Sequence, residues 1–161
     1  MTGPDALPAE YAEWLDRVRA TYEAVRYTCS HRLADPALAG PVAVQVAAGL
    51  VSRPSIFRYF GLPFSGRIAR LAEARIAEAD AGELATVCDW AELRGRLEEV
   101  PAVHREALVV TCVRGDDVEA LAAVQGCDEA AAEAGHEAML AYMLELARPG
   151  LPAVPDPDER T

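Results

Sequence analysis

The chain has 161 residues and a mass of 17.2 kDa, which leaves room for one ordinary domain or two very small helical ones. A hydrophobic fraction of 52 % is enough for a core and excludes wholesale disorder. No apolar stretch approaches the roughly 20 residues of a membrane span, and the mean hydropathy is only +0.04. The net charge of −11 is unevenly spread: residues 1–97 carry 11 Arg against 12 acids, residues 98–161 carry 4 Arg against 14, and a stretch at −10 repels phosphate.

In chain order, the opening Met1-Thr2-Gly3-Pro4-Asp5 has neither the basic region nor the apolar run of a signal peptide, so a cytoplasmic location is expected. From Ala9 to about Leu33, Tyr11, Trp14, Leu15, Val18, Tyr22, Val25 and Cys29 recur at three- and four-residue steps, the stripe of an amphipathic helix. Asp35-Pro36 restarts the chain with an N-cap residue and a proline at the first helical position. Pro41 follows where a running helix would need its missing N–H, so the helix either kinks there or begins there. Residues 42–51 (VAVQVAAGLV) are almost wholly apolar and read as core or as a contact surface. Arg53-Pro54 and Leu62-Pro63 bracket SIFRYFG, expected as a turn of helix between loops. A cleaner amphipathic helix is expected over 65–79, and Ala81-Gly82 opens a short linker, residues 81–88.

Four more helical stretches are expected beyond it. They are about 89–99, then Pro101 to about Val113, then one capped by Asp116 and ended at Gln125-Gly126, then one capped by Asp128 and running to Ala147. The tail, 148–161, is rich in proline and acids and is expected to be disordered. The fold class expected is all-α, with two small helical domains (9–80 and 89–147). In the second, a helix ending at Gly115, a helix of about ten residues, a turn at Gly126 and a longer helix have the layout of a helix-turn-helix.

Chemistry-bearing motifs are scarce. Cys29, Cys88, Cys112 and Cys127 have no CxxC spacing, and His104 and His136 stand alone, so no metal site or disulfide is expected. There is no GxSxG, Walker loop or HExxH, and no cofactor or catalysis is expected. Segment 30–75 is the basic part of the chain, with Arg32, Arg53, Arg58, Arg67, Arg70 and Arg75 against Asp35 and Glu73.

The stretch Leu97-Glu98-Glu99-Val100-Pro101, Arg105-Glu106-Ala107-Leu108, then Val113-Arg114-Gly115-Asp116-Asp117-Val118 through Leu121-Ala122 and Gly126, resembles region 4 of bacterial sigma factors of the extracytoplasmic-function group. Upstream, Asp35-Pro36-Ala37-Leu38-Ala39 with Val42, Gln45 and Val46, and more loosely Pro54, Phe57, Pro63, Phe64 and Ala69 to Ala74, is similar to region 2 of that group. The resemblance implies two helical domains and a role in transcription. It also implies a partner surface at Leu38, Val42, Gln45, Val46 and Leu50, where that family meets the beta-prime clamp helices of RNA polymerase.

The chain departs from the family where DNA is read. Gly40-Pro41 stands in place of an acidic pair, and Ala130 to Ala138 replaces a recognition helix that the family fills with threonine, valine and arginines. Between Arg114 and Arg148 there is no basic side chain other than His136, while Glu129, Glu133 and Glu137 recur at four-residue steps. Base edges are read by Arg, Lys, Asn or Gln and phosphates are held by positive charge, so a carboxylate stripe argues against duplex binding. The expectation is a sigma-like regulator acting through protein contacts, with RNA polymerase or an anti-sigma factor, DNA binding weak or absent and no membrane contact. The alternatives are a working divergent sigma factor using Arg53, Arg58, Arg67, Arg70 and Arg75, and a helical structural or oligomerisation module.

Overall fold

The computed structural model describes residues 7–55 and 66–152, and among these every regular element is helical. Seven α-helices follow in order: α1 (Leu7–Arg32), α2 (Ala39–Ser52), α3 (Gly66–Asp80), α4 (Trp90–Glu98), α5 (Ala102–Leu108), α6 (Val118–Gln125) and α7 (Glu129–Ala147). The all-α expectation holds. None of these helices is long and apolar enough to cross a membrane. The expected helical turn at SIFRYFG falls, apart from Ser55, outside the described residues.

Short-range chemistry places most boundaries. Asp35 accepts a hydrogen bond from the Ala37 N–H at 3.0 Å and opens a 3-10 turn, Pro36–Leu38, that leads directly into α2. Pro41 is the third residue of α2, inside the first turn, where no N–H is required, so the helix neither kinks nor waits for it. Asp89 and Asp128 cap α4 and α7 by accepting from the Glu92 and Ala131 N–H groups, both at 2.8 Å. At α6 the cap is Asp117, not the expected Asp116: its carboxylate accepts from Ala120 N–H at 2.9 Å, one residue closer to the helix. Between them Gly126 closes α6 at φ +66°, a left-handed conformation that glycine adopts without a Cβ penalty. After α5 the helical path widens into a π turn over Val109–Val113, with the Thr111 hydroxyl donating to the Ala107 carbonyl at 2.6 Å.

The centre of the molecule is α2. Twelve of its fourteen residues are buried, as expected of a helix apolar on every side. It packs against α1, α3 and α7. The α1 stripe is buried as the spacing requires, with Tyr11, Trp14, Val18, Val25 and Cys29 each at most 2 % exposed and Leu15 half-buried.

The buried side chains of the two expected domains, 9–80 and 89–147, form one contiguous core, so the two halves do not have separate interiors. Polar and cation–ring contacts also join them, beside the packing of α2 on α7 and of α1 on α5. The Tyr11 hydroxyl donates to the Leu97 carbonyl at 2.6 Å, the Arg105 guanidinium lies 4.6 Å from the Tyr11 ring centre, and Arg114 forms a two-pronged ion pair with Glu10 at 2.6 and 2.9 Å. The expected linker, 81–88, is an extended strap on this core, with Leu84, Val87 and Cys88 packed against it. The expected disordered tail also needs correcting at its start. Arg148–Gly150 forms a 3-10 turn, Cys88 N–H donates to the Pro149 carbonyl at 2.9 Å, and Gly150 is buried. A Cβ at Gly150 would lie 2.8 Å from the Ala48 Cβ, so only glycine permits this approach to α2. Residues 153–161 lie outside the described residues.

Candidate functional site

The surface expected to meet a partner is mostly interior. Val42 and Leu50 are 0 % exposed, Val46 is 1 % and Gln45 is 2 %, whereas Leu38 is half-buried. The physical reason is that α2 lacks a polar side: α1 and α3 cover part of it, and the strap and α7 cover the remainder. Gln45, the polar residue that periodicity left unexplained, is held by a neighbour 40 residues away. Its amide N–H donates to the Ala85 carbonyl of the strap at 2.9 Å. Its Oε1 is buried without a hydrogen-bond partner, a deficit of about 1–3 kcal/mol for an amide oxygen taken from water. The only polar side chain in the apolar run therefore pins the strap to the central helix.

Among the described residues, the arginines of the basic segment do not gather into a patch. Arg53 is half-buried just past the end of α2, Arg70 is exposed, and Arg75 is 2 % exposed with its Nε 3.2 Å from a Glu78 carboxylate oxygen. Arg58 and the side chain of Arg67 lie outside the described residues. Arg32 donates to both carboxylate oxygens of Glu73 through Nη1 and Nη2, tying α1 to α3. That bond holds the Glu73 carboxyl below its ordinary range and raises Arg32. Arg75 is thus placed in the interior, contrary to its expected availability to an anionic partner.

At the other end, α6 and α7 meet through the turn 126–128. Glu129, Glu133 and Glu137 are all exposed on α7, while Ala132, Met139 and Met143 face inward at 0 % exposure and His136 and Leu140 are half-buried. The helix thus has an acidic outer face, as the four-residue spacing of the glutamates predicts, and an apolar inner face. The ionisable side chains exposed on α7 are all carboxylates, set among alanines, a surface that repels phosphate.

The four thiols are free. Cys29 and Cys112 are buried, Cys88 is half-buried and Cys127 is exposed. Burial pushes the Cys29 thiol up to about 11 and raises Cys88 as well, which favours the protonated thiol of both near neutrality. Among the described residues no three His, Cys, Asp or Glu side chains gather as a metal group would.

One grouping escapes periodicity altogether. Tyr22 of α1 stacks on Trp90 of α4, with ring centres 4.5 Å apart and planes 10° from parallel, beside a cavity between α1, α2 and the strap. The only sequence signal for it was an aromatic residue directly after the Asp89 cap, and that did not reveal its partner. Comparison of the chain with protein-family models, with curated proteins and with solved structures found no match to any of them.

Proposed function

We propose that the protein is a sigma-factor-like regulator that acts through protein contacts, on RNA polymerase or on an anti-sigma factor, and that its reading of promoter DNA is weakened or lost. The observation that carries this reading is the exposed acidic face of α7. It lies on the second helix of a helix-turn-helix-like arrangement whose sequence, from Leu97 to Gly126, resembles region 4 of that family. The reading is also supported by the burial of Arg75, which weakens the alternative of promoter contact through the basic segment. The proposed contact surface is the exposed faces of α6 and α7, a choice supported by the burial of Val42, Gln45, Val46 and Leu50.

A second reading, a helical structural or oligomerisation module, is favoured by that same burial: a chain whose region-2-like helix is core has no need of a polymerase. Isolation of the intact chain from its native cytosol separates the two. Co-purified RNA polymerase or an anti-sigma factor supports the first reading, and self-association alone selects the second. Under the first reading the intact protein has no measurable affinity for duplex DNA near 0.15 M salt, where even non-specific binders reach about 10⁻⁴ to 10⁻⁶ M. Saturable binding to a promoter fragment would overturn it.

A further inference from the structure

Beneath the strap lies a cavity of about 300 Å³, at the lower end of the range of small-molecule sites. Its walls come from three separate parts of the chain: Tyr22 of α1, Leu38 of the 3-10 turn with Val44 of α2, and Val87 and Trp90 around the end of the strap. The stacked Tyr22 and Trp90 rings give it a flat aromatic border, and the aliphatic side chains close the sides. The strap wall is tied at two points, Ala85 to the Gln45 amide and Cys88 N–H to the Pro149 carbonyl, so the cavity is held open before any ligand arrives. Charge narrows the occupant further. Among the described residues no cationic side chain lines the cavity, and the one carboxyl that does, Asp89, is exposed at the border. One oxygen of that carboxylate caps α4, which fixes the negative charge in place. A carboxylate or phosphate ligand would meet repulsion there and find no counter-charge.

We propose that this cavity is a binding site for a flat aromatic molecule of one or two rings, neutral or singly cationic. The ring lies against Tyr22 and Trp90, and any ammonium group faces Asp89. The site is independent of the partner-protein reading and stands or falls separately from it.

The test uses the intact protein and three probes of one ring system and different charge: indole, tryptamine and indole-3-acetate. Calorimetric titration is combined with the rate of alkylation of Cys88, which lines the cavity, against that of Cys127, which is exposed elsewhere. Indole and tryptamine should bind saturably and slow alkylation of Cys88 without changing that of Cys127. Indole-3-acetate should bind about tenfold more weakly, the effect of one like charge at the border. Trp90→Leu, at a half-buried position, should keep the helical signal and lose binding of all three. Asp89→Asn retains a good N-cap and should bring indole-3-acetate to the affinity of indole. Val44→Phe should fill the cavity and abolish binding. The proposal is overturned by absence of saturable binding, by binding that leaves Cys88 alkylation unchanged, or by full affinity in Trp90→Leu.

Discussion

Helices α2 and α7 are both rich in alanine and pack against each other, yet they occupy opposite positions in the molecule. Residues 39–52 hold no charged side chain, and twelve of them are buried. Residues 129–147 hold five buried positions in nineteen, and glutamates occupy the outward side. Alanine permits close helix approach in both cases. What decides the location is the presence of a charged stripe, because burying an unpaired carboxylate costs more than any packing gain at one site returns. A helix without a polar side has to be enclosed, and the rest of this chain is arranged to enclose it.

That contrast is tested most severely by placing a carboxylate in α2. Val46→Asp should cost about 4 kcal/mol or more, and circular dichroism should show loss of the folded state across both halves at once, since they share one core. Survival of α4 to α7 as a folded unit would instead show that the halves have separate stability. A smaller effect is expected at the closest approach to α2. Gly150→Ala adds one methyl group against the Ala48 Cβ and should destabilise by about 1–3 kcal/mol in chemical denaturation, as overpacking does.

Glu10 lies between the two extremes, a partly buried acid with a partner. Its hydrogen bonds from Arg114 hold its carboxyl below the ordinary value of 4.5, so the folded state binds the proton less readily than the unfolded chain does. The pair therefore contributes fully above the unfolded carboxyl range, and its contribution disappears as pH falls from there through the lowered folded value. Glu10→Gln should cost about 1 kcal/mol at neutral pH, and unfolding curves of the variant and parent should converge below pH 4 by about that amount. The smallest effect is expected on the outer face of α7. Replacing Glu129, Glu133 and Glu137 with Arg should change stability by about 0.5 kcal/mol or less per site in thermal unfolding. At most it should produce weak DNA binding that fades as salt rises. A variant that unfolds would place those glutamates against the core and reverse the comparison.

The helices are legible because their ends are set within three or four residues, by Asp35 and Asp128 as caps and by Gly126 as a stop. The inward face of α7 was legible for the same reason, since Ala132, Met139 and Met143 repeat at helical spacing. The candidate site was not. A wholly apolar α2 is compatible with a core or with a contact surface, and only long-range partners distinguish them. The partner of Gln45 is a carbonyl on a strap that has no periodicity of its own. Pro149-Gly150 likewise has the composition of a loose tail, and its fit against Ala48 is set by residues a hundred positions earlier. The Tyr22–Trp90 stack is equally long-range.

The shared core also has a consequence for synthesis. Helix α2 is complete at Ser52, but its covering by α7 and by Gly150 requires almost a hundred further residues. At translation rates of about 5–20 residues per second, that helix is outside or near the ribosome for roughly 5–20 s before its last neighbours exist. During that interval the most apolar segment of the chain lacks the cover that α7 and Gly150 supply. Any slowing of translation between residues 52 and 150 lengthens the time for which that apolar surface is open to aggregation.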